Sequence, residues 1–131
     1  MRSYLPLLLR PGVLAWLMLL PWAANCEARI PLHGSETSIE KYLLRQAPLG
    51  STMDQVLTML EHQRVEGTEV SRDHGFLDGR VRPERMTGAM SIRANVGHTR
   101  FIFRTDVIAR WAFDSNGRLT DVWVNRETDS L

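Results

Sequence analysis

The chain opens on a basic and then apolar stretch. Arg2 opens a short basic region, Leu5, Leu7, Leu8 and Leu9 follow, and an unbroken apolar run extends from Val13 to Leu20. Pro21 ends it, and the small residues Ala23 and Ala24 come next. This is the order of a secretory signal peptide, and the run is too short to span a bilayer. The reading assigns residues 1–26 to the signal, with 28 as the alternative end. Of 131 residues, roughly 103 to 105 then remain, which is enough for one domain with a modest core.

Removing the leader also resets the charge. The chain carries 16 basic and 15 acidic residues. Arg2 and Arg10 leave with the leader and every acidic residue follows Cys26, so the net charge falls to about −1. A near-neutral domain lacks the electrostatic footprint of a general nucleic-acid binder. Lys41 is the one lysine, so the basic side chains are almost all guanidinium groups, suited to bidentate pairing. An Arg-rich recognition surface and a compositional bias of the coding sequence both account for that.

Cys26 is the one cysteine, which rules out an intrachain disulfide. Two readings stay open. In the first, Cys26 is the lipidated first residue of a bacterial lipoprotein, preceded by Ala23-Ala24-Asn25. In the second, cleavage falls after Ala28 and discards it.

Residues 27–36 contain Pro31, Gly34 and Ser35 without periodicity and read as a flexible lead-in. Thr37-Ser38-Ile39-Glu40 has the spacing of a capping box, with Ile39, Tyr42 and Leu43 on one helical face. Pro48 stops that helix near Gln46. Ser51 or Thr52 caps a second helix, with Asp54 or Gln55 in its first turn and Met53, Val56, Leu57 and Leu60 at the apolar spacing. Thr68 to Arg72 suits a short strand. Residues 73–88 carry Gly75, Gly79, Pro83 and Gly88 among many charges and read as a long loop inside a domain spanning 37–126.

Beyond it, Ile92, Ala94 and Val96 alternate. Gly97-His98 is expected to break the strand, and Phe101 and Phe103 to restart it. Val107, Ala109, Trp111 and Phe113 share one face of the strongest strand. Asp114-Ser115-Asn116-Gly117 is a turn, and Leu119 to Asn125 returns with Trp123 at its centre. Trp111, Phe113 and Trp123 are expected to pair across this hairpin. The fold class is therefore α+β: two short N-terminal helices packed on a small antiparallel sheet of three to four strands, a two-layer sandwich.

Catalytic signatures are missing from the sequence. His33, His62, His74 and His98 sit in no metal-ligand spacing, and no nucleophile elbow, phosphate loop or dinucleotide-binding glycine set occurs. The reading assigns no catalytic residue, cofactor or metal. Asp73, His74 and Asp78 are the residues a small hydrolase or metal enzyme would use. Arg80, Arg82 and Arg85 cluster in the 73–88 segment, where they suit an anionic head group, a phosphate or an acidic partner, or else a solvated loop. Trp111 and Trp123 are candidate partner contacts because tryptophan is enriched where binding energy concentrates.

Trp111, Phe113, Asp114, Gly117, Leu119, Asp121, Val122 and Val124 form the pattern W-x-F-D-x-x-G-x-L-x-D-V-x-V. With the leader, Cys26 and the helix entry Leu49 to Val56, this resembles the small outer-membrane lipoproteins of the SmpA/OmlA type over about residues 37–125. The resemblance implies a fold like that of the β-lactamase-inhibitor proteins and a protein-binding role in outer-membrane barrel assembly. The expected function is a non-enzymatic exported envelope protein, periplasmic or anchored to the outer membrane. Its partner would be another envelope protein, and it would meet the membrane only through a lipid on Cys26. A soluble periplasmic inhibitor or ligand-binding module is the alternative.

Overall fold

A computed structural model of the chain describes residues 29–128. The leader and Cys26 lie outside the described residues. Two helices precede six strands: α1 (Glu36–Gln46), α2 (Met53–His62), β1 (Glu69–Ser71), β2 (Phe76–Asp78), β3 (Arg85–Thr87), β4 (Met90–Arg100), β5 (Arg104–Phe113) and β6 (Leu119–Thr128). β1, β4, β5 and β6 form an antiparallel sheet in that spatial order, and β2 and β3 pair with each other alone. The fold is α+β, with both helices N-terminal to the sheet. No helix among the described residues is long and apolar enough to cross a membrane.

α1 starts two residues earlier than its expected capping box. Ser35 is the N-cap, its hydroxyl accepting from the Ser38 amide at 3.1 Å. The Glu40 carboxylate instead accepts from the Val124 amide at 2.9 Å, so it caps an edge-strand donor rather than a helix end. α2 does carry a reciprocal capping box. The Gln55 amide donates to Thr52 Oγ1 at 3.2 Å, and the Thr52 amide donates to Gln55 Oε1 at 2.8 Å. Thr52→Ala removes one side of it and is expected to lower stability by about 1 kcal/mol, checked by urea denaturation. An unchanged midpoint would show that this cap contributes nothing.

The turn between the helices is stitched to the far end of the chain. The Gly50 amide donates to the Leu119 carbonyl and the Leu119 amide to the Ser51 carbonyl, both at 2.8 Å. The start of α2 and the start of β6 are thereby fixed to each other.

The core gathers Ile39, Tyr42 and Leu43 of α1, Met53, Val56, Met59 and Leu60 of α2, and one face of the sheet: Ile92, Ala94, Val96, Val107, Ala109, Trp111, Phe113, Leu119, Val122 and Val124. Leu57, expected on the inner face of α2, is only partly buried, and Met59 is buried in addition to the expected positions. The helix is rotated slightly toward its Met59 side, within the width of one apolar stripe.

Two further expectations are corrected along β4 and β5. Gly97 does not break the strand. It forms an irregularity between Asn95 and Gly97, after which pairing with β5 continues to Arg100↔Arg104. A side chain at Gly97 would overlap Leu32, which packs against the core from the lead-in. Phe101 and Phe103 restart nothing: Phe101, Ile102 and Phe103 form the exposed tip of the β4–β5 hairpin. The β5–β6 turn forms where the sequence places it. Asp114 Oδ1 accepts from the Asn116 and Arg118 amides, and Gly117 takes φ +75°, the region that favours glycine.

Candidate functional site

The sheet face away from the core carries the chemistry. Alternation that buries Trp111 and Val124 inward turns Arg93 and Asn95 of β4, Arg110 of β5, and Asp121, Trp123 and Asn125 of β6 outward. Trp111 opposes Val122, whereas Trp123 opposes Arg110. The two tryptophans therefore sit on opposite faces, and the expected aromatic pairing across the hairpin does not form. Trp111 is fully buried in the core, and its indole Nε1 finds no acceptor among the described residues.

Trp123 has a different set of neighbours. The segment 73–88, expected as a loop, holds the β2–β3 hairpin, whose pairs are Phe76↔Thr87, Leu77↔Met86 and Asp78↔Arg85. Phe76 lies 6.0 Å from the Trp123 ring at a tilt of 35°. The Arg80 and Arg110 guanidiniums stand 5.6 and 5.0 Å from its centroid, within cation–π range. Trp123 is thus the platform on which the small hairpin docks. Glycine makes that docking geometrically possible. A Cβ at Gly79 would sit 3.0 Å from Trp123 Cη2, and one at Gly75 would overlap the backbone oxygens of Thr87 and Gly88.

The three loop arginines separate. Arg80 is committed to two carboxylates: its Nε donates to Asp78 Oδ1 at 2.9 Å, its Nη2 to Asp78 Oδ2 at 3.0 Å, and it also bridges to Asp121. It clamps the hairpin to β6, which leaves it little capacity for an incoming anion. Arg82 donates to Glu84 at 3.3 Å and to the Gly79 carbonyl at 3.1 Å on the exposed turn. Arg85 is exposed on β3. Hydrogen bonding from Arg80 holds the buried Asp78 carboxyl below the usual aspartate range, against the opposing pull of burial. A depressed folded-state pKa adds stability above the ordinary aspartate value, and that stability is lost as pH falls through the depressed value. The clamp is therefore at full strength at neutral pH and loosens only in strong acid.

Asp73, His74 and Asp78 do not assemble. Both Asp78 oxygens face Arg80. Asp73 and His74 lie 3.8 Å apart and exposed, and the Asp73 carboxyl is held low chiefly by the Ser71 hydroxyl. Among the described residues, no group of three or more His, Cys, Asp or Glu is placed to hold a metal ion.

Between β1 and the docked hairpin runs an open groove of about 540 Å³. Its floor contains Arg93, Arg110 and Ser91, and its rim carries the exposed apolar side chains Val70, Leu77 and Met86. Arg110 bonds Asn125 and reaches Glu127 at 3.3 Å, while Arg93 makes looser pairs with Glu69 and Glu127 at 3.9 and 3.8 Å. No protein family model, curated protein or solved structure matches the chain. The groove's chemistry thus rests on its own residues. A guanidinium floor beneath an apolar rim suits an extended segment that offers a carboxylate inward and apolar side chains outward.

The groove escaped sequence reading because its parts come from three separate stretches. Val70, Leu77 and Met86 carry no pattern until β2 and β3 pair. The one available signal was the alternation Phe76-Leu77-Asp78, two inward residues flanking an outward leucine.

Proposed function

We propose that this chain is a non-enzymatic exported envelope protein, periplasmic or at the outer membrane, that binds another envelope protein through the outer groove. In this reading the domain is a two-layer sandwich, with the helices on one face of the sheet and the groove on the other. The SmpA/OmlA resemblance and the leader support export and a protein partner. The observation that carries the reading is the pairing of Arg93 and Arg110 with the exposed Val70, Leu77 and Met86 in one concavity. Exposed apolar side chains grouped around a polar floor mark an interaction surface.

The test is site-specific crosslinking in intact cells. A photoreactive residue at Leu77 is expected to capture a discrete envelope protein, and one at Thr58, exposed on α2, is not. The double variant Leu77→Thr, Met86→Thr, which removes the apolar rim without setting like charges opposite each other on the paired strands, should reduce capture through a probe at Val70 at least tenfold. The same variant should shift the melting temperature by no more than about 2–4 °C, since exposed substitutions change stability little. Undiminished capture by a stably folded double variant would overturn the groove as the binding site.

A further inference from the structure

The tip of the β4–β5 hairpin reads Arg100-Phe101-Ile102-Phe103-Arg104. Tight connections ordinarily use Gly, Asn, Asp or Pro, and this one uses none. Phe101 is 94% exposed, Ile102 73% and Phe103 48%. A run of exposed apolar residues works against folding and solubility unless it serves a contact. The tip also projects. β1 pairs with β4 only at Ser91–Arg93, and the last described pair between β5 and β6 is Thr105↔Thr128, so residues 101–103 extend past the described parts of both neighbours.

Two independent features say what the tip meets. The first is charge. Arg100 and Arg104 face each other across the base of the tip. Arg104 gives its Nε to Asp106 at 2.9 Å, and its side chain stays 43% exposed, so further guanidinium donors remain available. His98 lies opposite Asp106. A convex apolar tip collared by guanidiniums matches the acyl-to-headgroup boundary of an anionic bilayer, with apolar rings below and cations level with the phosphates. The second is the path of the chain. His33 lines the same shallow depression as Arg100, Phe101, Ile102 and Phe103. Arg126 donates to the Leu32 carbonyl at 2.9 Å, fixing the lead-in at this end of the sheet. The described lead-in and the apolar tip thus lie at one end of the domain.

We infer that the Phe101-Ile102-Phe103 tip inserts into the interfacial layer of an anionic lipid bilayer, with Arg100 and Arg104 on the headgroup phosphates. This gives the domain a membrane contact and orients the sheet. The exported-envelope reading bears only on which membrane is met, and the test below is independent of it.

The experiment uses the full chain carrying Cys26→Ser, with a single new cysteine labelled by an environment-sensitive fluorophore at Ile102 or, as control, at Thr58. Vesicles of phosphatidylglycerol and phosphatidylcholine in equal parts are compared with phosphatidylcholine alone, each with and without lipids brominated along the acyl chain. The expected result is a blue shift and bromine quenching at position 102, stronger on anionic vesicles, with neither change at 58. Arg100→Gln and Arg104→Gln should each weaken the anionic-vesicle response by about fivefold. A label at 102 that stays in water while the chain is vesicle-bound overturns the inference. So does equal insertion into both vesicle types, or a label at 102 shielded without vesicles in a concentration-dependent manner, which would make the tip a contact between copies of the chain. Because the readout is local to the tip, it stands apart from groove-dependent capture, and either can fail alone.

Discussion

Trp111→Ala is expected to cost about 3–5 kcal/mol, the range for deleting a large buried aromatic. Trp111 is fully buried and lies in the same cluster as both helices and three strands. A small domain has about 5–15 kcal/mol in total and tends toward the lower end. Urea titration followed by far-ultraviolet circular dichroism should therefore show the midpoint falling by half or more. Trp111→Phe should do much less harm, because it leaves most of the ring volume and removes an indole N–H that has no acceptor. A loss below about 1 kcal/mol for the alanine variant would mean that Trp111 is not central to the core.

The second large effect is local. Gly75→Ala places a methyl group into the Thr87 and Gly88 carbonyl oxygens, and backbone cannot move aside as a flexible side chain can. Overpacking of this kind costs about 1–3 kcal/mol or more. Here it falls on a two-stranded unit held to the sheet mainly by Trp123 and Arg80. Amide exchange should accelerate more than tenfold across Phe76–Asp78 while Val107–Phe113 stays protected. Groove capture should be lost with it. Gly67→Ala is the control: its φ of +70° is strained for alanine, but nothing lies within 4 Å. Equal exchange in the Gly75 variant and the parent would show that the hairpin docks differently.

The legible and illegible parts of this chain divide along a physical line. Local signals carried through. Pro48 ended α1, the Thr52–Gln55 spacing formed its capping box, Gly117 took the positive φ of its turn, and the inward set of β5 followed from alternation alone. Parity across the hairpin did not. An irregularity between Ala112 and Phe113 shifts the β5–β6 register, so Trp111 and Trp123 fall on opposite faces. A one-residue change in pairing reverses every side chain, and the turn sequence does not announce it. The 73–88 segment was illegible for another reason. Strands of three residues give no periodicity, and the hairpin owes its existence to Trp123 some forty positions away. Phe101 and Phe103 misled in the opposite direction, since alternation read as strand turned out to be a tip whose rings face solvent.

The β6 edge has a consequence for assembly. Glu40 occupies the Val124 amide and Asp121 the Val122 amide, the donors that an incoming strand would need. Two molecules meeting edge to edge there would have to break existing hydrogen bonds before making new ones. In a crowded compartment this keeps the longest outer strand from templating chains of sheets, although β6 runs ten residues. Association is directed instead to the broad surfaces, where contact requires a matching shape rather than a bare backbone.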